Sequence, residues 1–339
     1  IALTDYKNRF GSKHFDIPYR SGMDKKVLKS FFNKWNIDIE FVQFSELINN
    51  LTNYSKEDFF IYTSSEDINY YYKSFIEDVV CYLELMNYKV IPSYKYLKCN
   101  NNKVFMELLM LGLSSITPTL STKVFGCLEE SHNIINTFEY PLVVKSSAGA
   151  SSTGVFKANN NKQFINAVKK VSSTKSLKND IHDLLRYFRH KAYQKESLYR
   201  NKYIVQNMIP KLNNDWKIYY FYDKVFIFYR PILKKNGFKA SGGGYDNYLY
   251  GENAPKPEGI FDFAKKIFMN FNVPHASLDI AWDGKNFYLI EIQFVYFGTA
   301  GIPYSNGYYM EIDNKWTYVK EKLSIEEVYA NSIIDYIKQ

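Results

Sequence analysis

Residues 277–293 read Ser277-Leu-Asp279-Ile-Ala-Trp-Asp-Gly284-Lys-Asn-Phe-Tyr-Leu-Ile-Glu291-Ile-Gln293. Asp283-Gly284 is a hairpin-turn pair between two alternating apolar segments, so the stretch predicts two antiparallel strands. Folding at that turn brings Asp279 near Glu291 on the adjacent strand. Glu291 and Gln293 are two residues apart and project to the same side. Two carboxylates among apolar residues repel each other unless a cation joins them, and oxygen ligands of this kind suit Mg²⁺ with nucleotide phosphates. The plainer alternative is a pair of unrelated, partly exposed acids.

Upstream, Pro141-Leu-Val-Val-Lys145-Ser-Ser-Ala-Gly149-Ala-Ser151-Ser152-Thr-Gly154-Val155 sets a lysine at the end of an apolar strand, before a turn of small residues. Small residues let backbone N–H groups approach phosphate oxygens, and the lysine neutralises their charge. The P-loop pattern is absent, because there Gly-Lys-Ser/Thr opens a helix whereas here the loop joins two strands. An ordinary glycine hairpin is the alternative.

Towards the N-terminus, Asp24 to Trp35 reads as a helix, and Ile37 to Phe44 and Phe59 to Thr63 as strands. Ser64 to Asp67 then supplies a cap and acidic first turn for a helix running to about Met86. A short strand, Lys89 to Pro92, completes an alternation that argues for an α/β domain with parallel pairing. A third helix spans Asn101 to Leu113, and a fourth follows the small-residue loop from Lys162 to Val171. From Tyr203 the chain turns to long β segments, Tyr203 to Met208, Trp216 to Tyr222 and Lys224 to Arg230. A helix near Ile260 to Asn270 precedes the 277–293 hairpin. The expected division is 1–98, 99–202 with a basic insertion at 169–202, and 203–339.

The 339 residues are 46% hydrophobic and 23% charged, which excludes a disordered or collagen-like chain and calls for two or three packed subdomains. Aromatics reach 18%, and lysine far outnumbers arginine, a bias that AT-rich codons explain without function. The net charge of +8 is concentrated between Lys169 and Lys202, where ten basic residues face three acids. That stretch reads as a solvated insertion or as a patch for an anionic substrate; no nucleic-acid motif accompanies it, so no DNA partner is expected. Cys81, Cys99 and Cys127 have no metal-like spacing, and with no secretory signal a reducing, cytoplasmic setting is expected. No apolar run is long enough for a transmembrane segment. The chain opens at Ile1 without a methionine, which is read as a trimmed chain or part of a larger polypeptide. Arg20 and Ser21 could bind an anion ahead of the first helix, or simply cap it. His14 shows no metal spacing, and His275 is expected to be a packed side chain.

Taken in order, these constellations resemble the ATP-grasp superfamily from about Asn101 to Gly301. Lys103, before the Ile116-Thr-Pro-Thr119 segment, matches the first nucleotide lysine and Lys145 the second. Gly149, Ser151, Ser152 and Gly154 match the flap that closes on phosphates. Gln206, Asn207, Met208 and Ile209 match the hinge strand against which adenine packs, with Gln206 where an acid is common. Asp215 and Lys217 look like the acid and base pair that follows. Arg230 matches the arginine that contacts the transferring phosphoryl group, and Ser241, in Phe238-Lys-Ala-Ser241-Gly-Gly-Gly244, lies in a segment similar to the substrate loop. Asp279, Glu291 and Gln293 would hold Mg²⁺, with Gln293 where the family usually has Asn.

The resemblance implies an α/β (α+β) ATP-grasp fold with an N-terminal α/β domain, a central lid subdomain and a C-terminal antiparallel-sheet subdomain. It implies an ATP- and Mg²⁺-dependent ligase joining a carboxylate, free or polymer-linked, to an amine through an acyl phosphate. Arg230, Lys145 and Ser241 would be catalytic. The basic insertion and the aromatic surplus point to an acidic sugar, such as a uronic acid in a bacterial surface polysaccharide, as the acceptor. The alternatives are an ATP-grasp kinase and a non-catalytic nucleotide-binding module.

Overall fold

The computed structural model describes residues 1–12, 20–112, 120–149, 154–210, 212–233, 237–240 and 244–339. The backbone divides into two units, one made of Ile1–Asn100 with Leu212–Gln339 and the other of Asn101–Lys211.

The first unit begins with β1 (Ala2–Thr4), α1 (Lys25–Asn33), β2 (Phe41–Gln43), α2 (Phe44–Asn49), β3 (Phe59–Tyr62), α3 (Tyr71–Leu85), β4 (Lys89–Ile91) and α4 (Tyr94–Cys99). The strands form a parallel sheet in the order β2-β1-β3-β4. The central β1 is wholly buried, as befits a strand covered on both faces. Two elements differ from the sequence expectation. The alternation over 37–44 yields only a three-residue strand, because Phe44 and Leu47, three apart and both fully buried, start α2 instead. The helix expected directly after Asp67 starts at Tyr71, since Asn69 and Tyr70 adopt positive φ; the Asp67 carboxylate still accepts from the Tyr72 and Lys73 amides at 2.9 and 3.1 Å.

The second unit contains α5 (Lys103–Leu111), β5 (Thr122–Phe125), α6 (Leu128–Asn133), β6 (Leu142–Ser146), β7 (Val155–Ala158), α7 (Asn161–Ser172), α8 (Leu177–Arg189) and β8 (Tyr203–Asn207). Its sheet is antiparallel in the order β5-β8-β6-β7. Residues 203–207 therefore sit inside this sheet and do not open the long-stranded segment that follows. Asn160 caps α7 through the Gln163 amide at 3.0 Å. The helix then lays Phe164, Ala167, Val168 and Val171 against Leu142, Val144, Ala158 and Tyr203 to form the unit's core. Part of the basic stretch is the regular helix α8.

The first unit resumes with β9 (Asn214–Phe221), β10 (Lys224–Pro231), β11 (Leu249–Tyr250), α9 (Ile260–Phe268), β12 (His275–Trp282), β13 (Phe287–Gln293), α10 (Gly301–Tyr304), β14 (Tyr308–Ile312), β15 (Lys315–Val319) and α11 (Ile325–Ile337). These strands build an antiparallel sheet in the order β13-β12-β9-β10-β14-β15, with β11 on β10. On one face Phe268 of α9 stacks on Tyr220 at 4.3 Å. On the other, Phe221, Phe226 and Phe228 share a core with Ala2, Phe10, Leu28 and Phe32 and with Val328, Tyr329, Ile333 and Ile334 of α11. Asp24 donates its amide to Glu326 Oε1 at 2.9 Å, tying α1 to α11. The sequence reading ended at Ile292, so β14, β15 and α11 are additions to it.

Candidate functional site

The predicted hairpin forms as expected: β12 and β13 pair in antiparallel register, with Asp279 opposite Glu291 and Ser277 opposite Gln293. A register shift falls between Asp279 and Ile280, a local irregularity of the kind that re-aims side chains. On its other edge β12 pairs with β9, setting Asp279 opposite Lys217, and β9 pairs with β10, setting Asp215 opposite Arg230. Four adjacent strands thus bring Arg230, Asp215, Lys217, Asp279, Glu291 and Gln293 into one row.

Arg230 is 6% exposed and is gripped from both sides. Its Nε donates to Asp215 Oδ1 at 2.5 Å, and Nη2 lies 2.8 Å from Asp279 Oδ2. The other Asp279 oxygen accepts from Lys217 Nζ at 3.0 Å. Burial alone would push the Asp279 pKa up, but the Arg230 guanidinium and the Lys217 ammonium outweigh it and hold the carboxyl well below the ordinary range. Asp215 moves the other way: burial dominates, and its pKa is raised despite Arg230. Burial also works against the charged form of Arg230, yet the two carboxylates overcome it and raise its pKa further. The four groups together are close to neutral, so a buried charge cluster is tolerated here because each member has a partner.

The metal expectation can be weighed against this arrangement. Asp279, Glu291 and Gln293 offer carboxylate and amide oxygens only, the donor set a hard cation such as Mg²⁺ takes. In donor chemistry they fit, with Asp279 shared between the cation and its Arg230 and Lys217 partners. Among the described residues no three His, Cys, Asp or Glu side chains cluster closely enough to form a metal site by themselves, so Gln293 is needed to complete the set.

The second unit holds the described residues expected to form a phosphate loop. Lys103 is the first residue of α5; its amide donates to Ser147 O and its Nζ to Gly149 O, both at 2.8 Å. Asn102 supplies the cap, accepting from Phe105 N at 3.3 Å and from Ser147 Oγ at 3.1 Å, which fixes the helix start against the loop. Lys145 lies in β6, between Val155 of β7 and Ile204 of β8. Gly154 returns the chain to Ser146, whose amide donates to its carbonyl at 2.9 Å. It has φ +72°, and a Cβ there would run into the Ser146 hydroxyl, so glycine is required. Ser151, Ser152, Ser241 and the 116–119 segment lie outside the described residues.

At the end of β8 and just beyond it the expected adenine-facing residues separate. Asn207 is exposed, Met208 half-buried and Ile209 buried. Gln206 is buried and turned inward: its Nε2 donates to Glu107 Oε1 at 2.7 Å and to Thr122 Oγ1 at 3.0 Å, which ties α5 to the sheet. Asn102, Glu107 and Ser147 were not singled out from sequence, although the Asn102-Lys103 helix start was a visible signal for the first.

His275 is packed, as expected, against Phe221, Phe297 and Tyr329, with Nδ1 3.3 Å from Ser332 Oγ. Burial lowers its pKa to about 3. Cys81, Cys99 and Cys127 form no disulfide. No described helix is long and apolar enough to cross a membrane.

No protein-family model and no curated protein sequence matches the chain. Solved structures do match. D-cycloserine synthetase DcsG aligns with a TM-score of 0.57 at 10% identity, over 98% of each chain. A RimK domain ATP-grasp protein from Sphaerobacter thermophilus aligns at 0.53 and 12% identity, over 98% of this chain and all of that one. D-alanine–D-alanine ligase from Bacillus anthracis aligns at 0.52 and 11% identity, over 99% of this chain and 96% of that one. The chain has the ATP-grasp fold.

Proposed function

With the ATP-grasp fold as premise, we propose that this protein is an ATP-dependent carboxylate–amine ligase. The observation that carries the reading is the row of Arg230, Asp215, Lys217, Asp279, Glu291 and Gln293 across β10, β9, β12 and β13. It joins charge-stabilising groups to an oxygen donor set on a rigid sheet. The ligases and synthetase among the structural neighbours support the same class.

In this reading Lys103 and Lys145 take the nucleotide phosphates with the loop that contains Gly149 and Gly154. Asn207, Met208 and Ile209 meet the base, while Gln206 braces the strand behind them. Asp279, Glu291 and Gln293 would hold Mg²⁺, which when bound offsets charge on the phosphate oxygens. The substrate carboxylate attacks the γ-phosphorus, the bond to the β-phosphate bridging oxygen breaks, and ADP leaves. An amine then adds to the acyl phosphate and expels inorganic phosphate, giving an amide. Arg230, fixed by its two aspartates, offers positive charge without reorganising. Excluding water from the acyl phosphate is the task assigned to the flap of Gly149, Ser151, Ser152 and Gly154, and Ser241 is assigned to the substrate loop. An acidic acceptor, a uronic acid of a surface polysaccharide in its finest form, rests on the basic stretch 169–202 and the aromatic surplus alone.

Incubation with Mg·ATP and pooled carboxylates, uronates included, with and without small amines, tests this through ADP and phosphate release. Turnover that needs both a carboxylate and an amine is expected. ADP formation without free phosphate would replace the ligase with a kinase, and tight ATP binding without turnover on any acceptor would replace it with a binding module.

A further inference from the structure

Helix α8 is built inside out. Leu177, Ile181, Leu184, Leu185 and Phe188 recur at helical spacing and share one stripe, about 16 Å long at the usual rise per residue. A stripe of this kind ordinarily faces a core, yet no residue of α8 is buried. The five side chains are 86, 56, 41, 42 and 74% exposed. The two least exposed residues of the helix are instead acids, Asp180 and Asp183. Asp183 Oδ1 accepts from Tyr193 OH at 2.6 Å, and Asp180 Oδ2 accepts from Ser176 N at 3.2 Å. Both line a 330 Å³ groove with Glu196, Leu198 and Arg200 of the returning chain. The acidic side of the helix thus meets the residues that flank it and the returning chain.

Helical geometry then decides what faces outward. Lys178 and Arg186 line the groove together with the aspartates, and Lys178 and Arg189 fall by helical geometry beside the stripe, so the apolar band is bordered by basic residues along one edge. Across 169–202 the ten basic residues outnumber the three acids, of which Asp180 and Asp183 are engaged by Ser176 and Tyr193.

We propose that α8 is an interfacial helix that seats the protein on an anionic lipid surface. Three observations favour a bilayer over other occupants. The stripe is convex and exposed along its whole length, where a lipid interface takes up separate apolar side chains without a matching groove. The basic edge supplies the electrostatic attraction that an anionic leaflet rewards. A second copy of the chain would bring two strongly positive segments together, which like-charge repulsion opposes. With 13 residues the helix is far too short to span a bilayer, so it would lie in the interface plane. The proposal uses none of the nucleotide residues, and it gives to a lipid surface the basic stretch that the acidic-acceptor reading gives to a substrate.

The experiment is flotation of the full chain with vesicles of phosphatidylcholine, with and without phosphatidylserine, beside sedimentation velocity of the protein alone. Binding to the phosphatidylserine vesicles is expected, at least about tenfold stronger than to neutral ones and weakened by salt. The Leu184→Glu/Phe188→Glu variant should lose it with an unchanged melting temperature, because neither side chain is buried in the fold. Absence of vesicle binding, or equal binding by the variant, would overturn the proposal. So would concentration-dependent dimerisation that the variant abolishes, which would make the stripe a contact between copies. Capture of an acidic amphipathic model peptide with no affinity for vesicles would overturn it in favour of a protein partner.

Discussion

Glu291 faces Asp279 across β12 and β13, and the two carboxylates have unlike surroundings. Asp279 is charge-paired twice, by Arg230 and Lys217, and in the proposed site Glu291 is the second carboxylate offered to the cation. Glu291→Ala should lower kcat by roughly a hundred- to a thousandfold without a change in urea midpoint; near-normal turnover would discard the metal assignment. His275 gives a second prediction at this scale. The folded imidazole stays neutral down to about pH 3, whereas the unfolded one takes up a proton near 6.5. The unfolded state therefore binds more protons in that window, and stability falls as the pH drops through it. Relative to wild type, His275→Phe should gain roughly 3 kcal/mol between neutrality and about pH 4, measured as the difference in urea midpoints. The Asp279–Glu291 pairing was legible because a two-residue turn signal fixes hairpin register locally. The inward turn of Gln206 was not, since it depends on Glu107, 99 residues away.

Strands β9, β10 and β12 are stitched by Arg230, and the fold depends on that cation more than a surface ion pair would suggest. Arg230→Met leaves Asp215 and Asp279 buried with one cation fewer, at a cost of roughly 3–5 kcal/mol. Adding Asp215→Asn should restore much of the loss, and denaturant melts of the single and double variants check both. The β14–β15 hairpin sets a steric limit of its own. A Cβ on Gly307 would overlap the Val319 carbonyl and come within 2.8 Å of the Tyr318 ring. Gly307→Ala should therefore cost about 1–3 kcal/mol, visible as a lower melting temperature. Elements with strong periodic patterns, α7, β9 and β10, fell within a residue or two of their sequence bounds. Phe41 to Phe44 misled because a buried Phe at a strand end serves equally as the first apolar residue of a helix. The hairpin β14–β15 and α11 went unread although Asp313-Asn314 sits at the turn with both φ positive. Their apolar residues make sense only against Phe226 and Phe228, far back in the chain.

The second unit is one continuous segment with its own sheet and core, while the first is assembled from two separated segments. Residues 101–211 expressed alone should fold and melt cooperatively, as amide dispersion and a calorimetric transition would show; a molten spectrum would contradict an autonomous core. The first unit has no such independence. Phe10, Met23, Leu28 and Phe32 finish their core with side chains of α11, and the Asp24–Glu326 bond closes a separation of 302 residues. On a ribosome adding about 5–20 residues per second, the opening sheet waits roughly 15–60 s for its closing helix. In that interval the inserted segment can already be folded, and the earliest apolar residues made are the last to be covered. Nascent chains stalled before residue 325 would present those residues to chaperones and proteases.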